Sequence, residues 1–391
     1  MMQQQQRREL LENEFKKRYT APPSKWVRAP GRVDLIGSHT DYNQGFVLIQ
    51  AIDRDIWIAA SPRSDGIVRI SSLNADGIRE FKLAEITFDA EMTWTNYVRG
   101  VAHILQQEGY PLTGFDGLIH STIPFGSGLS SSAALEVSTA VLFEELGDWS
   151  LDPVRRALLC QRAENEFVGM NCGIMDQYAS SVGKVDTVLL LDCRSLTSQA
   201  KPFAPGVQVI ACDTRAERSL VDSEYHERRS QCEQGVAVLA KAYPEIQSLR
   251  DVSLQQLDEH KSDVDAVVYK RCRFVIEENQ RVLAIAEAVS CGDHARAGEM
   301  MLDSFQGADD LYEIVSDEMI AMKNAIMSAP GALGTRGAGA GFGGCLVALV
   351  EDEHVETFSS QVLETYKEST GIEARVFPVR AAAGAGALTI P

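Results

Sequence analysis

Pro124-Phe-Gly-Ser-Gly-Leu-Ser-Ser-Ser-Ala133 follows a short β-branched run, Gly117 to Ser121, and opens a stretch in which Glu136, Val137, Ala140 and Val141 fall at helical spacing. Strand, glycine loop, helix is the geometry of an anion site. Gly126 and Gly128 let the backbone approach a polyphosphate, and successive amide N–H groups point at its oxygens. The helix N-terminus adds about half a positive charge. Ser130, Ser131 and Ser132 supply hydroxyls for phosphate or magnesium. An ordinary serine-capped helix after a loop is the alternative reading. The segment is not a Walker A loop, because no Gly-Lys-Ser/Thr follows, and the protein-kinase signatures His-Arg-Asp and Asp-Phe-Gly are absent.

Two further glycine segments flank it in sequence. In Arg336-Gly-Ala-Gly-Ala-Gly-Phe-Gly-Gly-Cys345, residues Gly339, Gly341 and Gly344 match G-x-G-x-x-G, but the segment precedes a strand, Leu346 to Val350, instead of opening a helix. That context contradicts a dinucleotide fingerprint. A tight turn that lets backbone approach a ligand or another loop fits better, with plain turn geometry as the alternative. Gly31-Arg-Val-Asp-Leu-Ile-Gly-Ser-His-Thr-Asp-Tyr-Asn43 reads as a polar loop that gathers Arg32, Asp34, His39 and Asp41, polar enough to hydrogen-bond a sugar.

Outward from these segments, residues 7 to 19 predict a polar amphipathic helix ended by Pro22 and Pro23. Phe46 to Ile49, Ile56 to Ala60 and Ile67 to Ser71 read as short strands. Helices are predicted from about Leu129 to Leu146 and Pro153 to Glu166, with Asp152 as cap and Pro153 at the first helical position. Val185 to Leu191 and Val207 to Cys212 read as buried strands, and Pro202 and Pro205 between them mark a boundary. Helical patterns follow near 219 to 243, 264 to 291 and 316 to 328, then strands at Leu346 to Val350 and Ala374 to Val379. Unequal blocks of this kind predict an α+β fold in two lobes, residues 1–204 and 205–391.

Composition narrows the function. With 391 residues the chain has ample material for a core, and 45% hydrophobic and 24% charged residues are ordinary for a globular protein. A net charge of −18 argues against nucleic acid and against anionic membrane as partners. It does not forbid an anionic nucleotide, because local amides and a few cations override the global field. No apolar run approaches the roughly 20 residues of a membrane span, and the start has no apolar stretch after Arg7 and Arg8, so a cytoplasmic location is expected. Eight scattered cysteines read as reduced thiols, and no His/Cys spacing suggests zinc.

Taken in order, GRVDLIGSHTDYNQGFVL, PFGSGLSSSA and GAGFGGC resemble the galactokinase family of the GHMP kinases, the superfamily named for galactokinase, homoserine kinase, mevalonate kinase and phosphomevalonate kinase. Trp94-Thr-Asn-Tyr-Val-Arg-Gly100, Gln161-Arg-Ala-Glu164 with Gly173-Ile-Met-Asp-Gln177, and Ser223-Glu-Tyr225 before Arg228-Arg229 add to the likeness, which covers about residues 20 to 350. The resemblance implies a two-lobed GHMP-kinase-type fold with mixed or antiparallel sheets and an active-site cleft between the lobes. It implies ATP- and Mg2+-dependent phosphorylation of the C1 hydroxyl of galactose, by a monomer or weak homo-oligomer. It makes Asp176 the carboxylate facing the anomeric hydroxyl and Arg32 its cationic neighbour. An arginine there favours a charged carboxylate and offsets charge on the phosphoryl oxygens. Ser132 and Glu164 match magnesium ligands, hard oxygens suited to that ion. Ser38, His39, Asp41, Gly173 and Tyr225 match sugar contacts. Trp94 borders the adenine, with Asn96 and Tyr97 beside it, and Pro124, Gly126, Ser127, Gly128, Leu129, Ser130, Ser131, Ser132 and Ala133 form the phosphate loop.

The chain also departs from the family pattern. The signature has Glu where Ser38 stands and commonly Asn where Asp34 stands. Its Arg-Met-Thr-Gly is here Arg336-Gly337-Ala338-Gly339, and a usual Ser-His pair is Ser304-Phe305. The family Glu meets the sugar's C6 hydroxyl, so Ser38 opens galacturonate and L-arabinose as alternative substrates. A non-catalytic sugar and ATP sensor is a further alternative, but Ser130 to Ala133, Arg32 and Asp176 are intact, whereas sensors typically damage the phosphate loop.

Overall fold

The computed structural model describes residues 4–216 and 221–388. In chain order the elements are α1 (Gln4–Arg18), β1 (Lys25–Ile36), β2 (Phe46–Arg63), β3 (Ile67–Ser72), β4 (Ile78–Lys82), α2 (Thr95–Gln107), β5 (Gly114–Ser121), α3 (Ser131–Gly147) and α4 (Pro153–Arg162). A π-helical turn (Ala163–Val168), α5 (Met175–Val182), β6 (Thr187–Asp192) and β7 (Thr197–Pro202) follow. Next are β8 (Val207–Asp213), α6 (Val221–Leu239), α7 (Leu254–Glu259), α8 (Ala266–Cys291), α9 (His294–Gly307) and α10 (Asp317–Ser328). After them come β9 (Ala332–Gly337), β10 (Cys345–Glu351), α11 (Val355–Thr370) and β11 (Arg375–Val379), and a last short strand, β12 (Gly386–Ala387), returns to pair with β1.

Among the described residues the strands form two sheets. One is eight-stranded, ordered β12-β1-β2-β5-β3-β4 with β6 paired to β2 and β7 to β6, and it is mixed because β3 and β5 run parallel. The other is antiparallel throughout, ordered β11-β8-β10-β9. The architecture is α+β in two lobes. One apolar cluster runs through both, joining Val137 and Val141 of α3 to Val209 of β8, Val282 and Ile285 of α8, and Val347 of β10. The outer face of the first sheet is covered by α1, whose Leu11 and Phe15 bury against Trp57 and Leu118.

The sequence expectations meet the structure unevenly. Helices α1, α3, α8 and α10 lie where their patterns put them, and Asp152 caps α4 by accepting from the Val154 and Arg155 amides. The helix expected to run to Glu166 changes to π geometry after Arg162. Part of the helix expected at 219–243 falls outside the described residues. The segment read as a polar loop is half strand: residues 31–36 belong to β1 and are all buried, and turns follow at residues 38–44, with a 3-10 turn at Asp41–Asn43. Pro30 is tolerated because the β1–β2 register shifts beside it, as it does again between Asp34 and Ile36. Phe46 to Arg63 is one strand instead of two: residues 52–54 have no partner on β1, but the strand runs on through that register shift. No described helix is long and apolar enough to cross a membrane.

Candidate active site

The first turn of α3 has no side-chain cap. Ser130 stands at its N-cap with φ 60° and ψ 50°, a left-handed conformation that costs energy in a residue with a Cβ, and makes no capping hydrogen bond. Its hydroxyl donates instead to Asp176 Oδ2 at 2.5 Å. The first-turn amides keep no serine acceptor, and N–H donors of this kind attract anions. Gly31 on β1 lets the loop come close: a Cβ there would lie 2.5 Å from the Leu129 carbonyl oxygen, which accepts from the Arg32 amide at 3.2 Å. From the other lobe the Cys345 amide donates to the Ser127 carbonyl at 2.8 Å. The 336–345 glycine segment is therefore packed against the loop that leads into α3.

Arg32 and Asp176 meet beneath that loop. Arg32 is 3% exposed; its Nε donates to Asp176 Oδ1 at 2.8 Å and its guanidinium also donates to the Gly128 carbonyl at 2.6 Å. Burial penalises the guanidinium charge, but Asp176, Asp34 and Asp41 outweigh it and hold the pKa above its ordinary value. Asp176 sits in the first turn of α5, at its dipole's positive end.

Behind Asp176 lies a second acidic group. Glu164, on the π-helical turn, accepts from Gln177 Nε2 at 2.5 Å and Cys172 Sγ at 3.2 Å, and is hydrogen-bonded by Ser132. Gln177 also donates to the fully buried Glu136 at 2.9 Å. Burial, then the charge of Asp176, holds Glu164 above the usual carboxylate range; burial and Glu164 do the same to Glu136. Burial also pushes the Cys172 thiol up, so it is a neutral donor and not a soft ligand. One hydroxyl and one carboxylate with surplus negative charge around them suit a hard divalent cation such as Mg2+.

The opposite wall carries His39, Asp41, Gly173 and Tyr225. Asp41 Oδ1 accepts from the Tyr42 amide at 2.9 Å, and burial and Asp176 push its carboxyl up to about 6. Gly173 has no room for a side chain, because a Cβ would stand 1.8 Å from Asp41 Oδ2. His39 lies between Ala340 O, 3.1 Å from Nε2, and Tyr42 Oη, 2.8 Å from Nδ1. A carbonyl only accepts, so Nε2 carries the proton and Nδ1 accepts from Tyr42. Burial lowers the imidazole to about 4 and keeps it neutral. Tyr225 packs on the His39 ring, centroids 5.3 Å apart.

These groups line a single cleft of about 640 Å³. It takes in Arg32, His39, Asp41, Trp94, Gly126, Gly128, Ser130, Ser131, Ser132, Glu164, Gly173, Asp176 and Tyr225. Its far end is apolar and aromatic, with Trp94, Tyr97, Phe125, Ile56 and Ile119, and there the buried Trp94 Nε1 has no hydrogen-bond partner among the described residues. Pro124, Ser127, Leu129 and Ala133 do not line the cleft; they shape the loop, as when Ser127 Oγ donates to the Pro124 carbonyl at 2.7 Å. Asn96 is turned away to tie down Asp89. Ser38 is not brought to the cleft either: its hydroxyl donates to Asp34 at 2.5 Å and accepts from Arg336 at 2.8 Å. Sequence reasoning missed Ile56, Ile119, Phe125, Ala340 and Gln177. Gln177 lies beside Asp176 in a quoted motif, the one signal that pointed to it.

Comparison with known proteins gives a consistent result. A model of the GHMP kinase N-terminal domain matches residues 96–184, the galactokinase galactose-binding signature matches 13–62, and the GHMP kinase C-terminal model matches 284–368. A galactokinase of Roseiflexus sp. (strain RS-1) is 43% identical over 376 residues, 96% of each chain, and one of Chloroflexus aggregans is 42% identical over 95% of each. The crystal structure of Lactococcus lactis galactokinase complexed with galactose superposes with a TM-score of 0.93 at 32% identity, covering 97% of this chain and 99% of that one. A mevalonate kinase at 17% identity and a TM-score of 0.62, over 92% of this chain and 99% of that one, shares the fold.

Proposed function

The chain belongs to the galactokinase family of the GHMP kinases, and on that premise we propose that it transfers the γ-phosphoryl group of ATP to the C1 hydroxyl of galactose, giving galactose 1-phosphate and ADP. The observation that carries this reading is the Arg32–Asp176–Ser130 contact, set between uncapped helix amides on one side and a sugar-sized polar wall on the other. Asp176 accepts the hydrogen bond of the C1 hydroxyl and takes its proton as that oxygen bonds to the γ-phosphorus. The bond from phosphorus to the β,γ-bridging oxygen breaks and ADP leaves. Arg32 offsets charge on the equatorial phosphoryl oxygens.

The loop from Gly126 to Ser132 holds the phosphates, and the apolar end with Trp94 takes the adenine. Asp41, the Gly173 backbone and Tyr225 hold the sugar hydroxyls, and the His39 ring packs beside Tyr225 in the same wall. Ser132 and Glu164 hold Mg2+, which when bound neutralises phosphate charge. In this reading residues 1–204 supply the phosphate loop and most of the sugar wall, residues 205–391 add Tyr225 and close the cleft, and the enzyme works in the cytoplasm as a monomer or weak homo-oligomer on small molecules alone. The test is product formation from galactose, galacturonate and L-arabinose with ATP and Mg2+. We expect galactose 1-phosphate at the highest kcat/KM, since Ser38 is committed away from the cleft. Absence of phosphorylated product from all three sugars overturns the assignment.

A further inference from the structure

Asp34 is fully buried and saturated with donors from both lobes. Its Oδ2 accepts from Arg336 at 2.7 Å and Ser38 at 2.5 Å; its Oδ1 accepts from the Gly339 amide at 2.8 Å. Arg336, 2% exposed, also donates to Ser38 Oγ at 2.8 Å and Ser304 Oγ at 3.1 Å, and Ser304 donates on to Glu278 at 2.8 Å. A small void of about 10 Å³ is lined by Ser38, Ser304, Phe305, Arg336 and Gly337. Four of the five positions at which the sequence departs from its family signature, 34, 38, 305 and 337, thus meet around one arginine, and the fifth, Ala338, follows on the same segment.

We propose that Asp34 carries the carboxylate that the family signature places at position 38, so that Asp34 and Ser38 are an exchanged pair that clamps Arg336 and positions the Gly339–Ala340 turn against the sugar side of the cleft. Charge counting supports the exchange. An asparagine at position 34 beside Ser38 offers Arg336 no carboxylate from β1 or the turn after it, and an amide Nδ2 facing Arg336 opposes donor to donor. Asp34 beside a glutamate at position 38 adds a further carboxylate to a guanidinium that already faces Asp34 and the buried Glu278, 3.6 Å away, in a space lined by Phe305. One carboxylate from this segment is enough to balance Arg336, and this chain has it at 34. The link to the sugar is direct: Asp34 fixes the Gly339 amide, and the next residue's carbonyl, Ala340 O, fixes the tautomer of His39. Asp34 is therefore a positioning residue, and Ser38 is not where C6 is read.

This inference rests on the proposed sugar-kinase reading, and its test separates the two. Asp34→Asn and Ser38→Glu, each alone, are expected to lower the melting temperature. Each should also raise the sugar KM about tenfold, the equivalent of one lost charge-assisted hydrogen bond, with the ATP KM within about twofold. The double variant D34N/S38E, or D34N/S38E/F305H if Phe305 blocks the longer side chain, is expected to recover at least half of both losses. Additive losses in both combined variants overturn the exchange, as does an Asp34→Asn protein with unchanged melting and sugar KM. A wild-type protein that phosphorylates no sugar overturns the functional reading instead, and the melting-temperature cycle still decides the exchange.

Discussion

A serine at a helix N-cap ordinarily spends its hydroxyl on the first-turn amides, worth about 1 kcal/mol. Ser130 spends it on Asp176, which with Arg32 leaves that carboxylate held from two sides. Asp176→Asn keeps the shape and loses the charge: we expect kcat to fall at least about a hundredfold while ATP affinity measured by calorimetry stays within about twofold. Near wild-type turnover would contradict the role given to Asp176. Asp41 offers a second check. Its carboxyl is pushed up to about 6 by burial and by Asp176, and a sugar whose hydroxyls donate to it favours the charged form. Galactose binding should then release protons, and its affinity should drop as pH is lowered through 6, by at most about tenfold per pH unit. Equal affinity at pH 7.5 and 5 would remove Asp41 from the sugar contacts. Residue by residue, the sequence was legible only where chemistry and motif coincided. Arg32 and Asp176 are 144 positions apart and became a pair through the family likeness. Asp34 and Arg336, 302 positions apart, left no local trace, because an ion pair across two lobes has no spacing.

Patterns with caps survived best among the elements. Asp152 and Pro153 start α4 as read from the sequence, and at the start of the 316–328 pattern Ser316 accepts from the Met319 amide and caps α10. β7 had no such signal: Thr197–Pro202 is mostly exposed and polar, and its place is set by pairing with β6. β1 misled for a different reason. Pro30 and Gly31 read as loop punctuation, yet they sit where the ladder slips, and such irregularities re-aim side chains, here Arg32 and Asp34. The π-helical turn that carries Glu164 belongs to the same class of local distortion at a site. It is packed against α2 at Gly100, where a methyl group would lie 3.2 Å from the Ala163 carbonyl oxygen and from Phe167 Cβ. Gly100→Ala gains up to about 1 kcal/mol of helix propensity and presses on the turn. The melting temperature should therefore hold or rise while the Mg2+ concentration for half-maximal rate increases several-fold. An unaltered Mg2+ requirement would mean that α2 does not set the position of Glu164.

For the whole molecule, the unequal blocks of strands and helices were enough to suggest two lobes. The continuity of the core across both lobes was not visible, since apolar periodicity says which face of an element is buried and not against what. The return of β12 was equally hidden: two residues, Gly386 and Ala387, carry no strand pattern, and they pair with Arg28 and Val27 on β1. That pairing imposes an order in time. A ribosome adding roughly 5 to 20 residues per second makes β1 about 20 to 70 s before its outer partner exists. Throughout that wait the nascent strand has one bare edge, the kind of surface that recruits a neighbouring chain. Lys25 and Arg28 lie on that strand as charges against such pairing. When the tail arrives, Arg28 is also the residue that receives it, donating to the carbonyls of Ala383 at 3.0 Å and Gly384 at 3.2 Å.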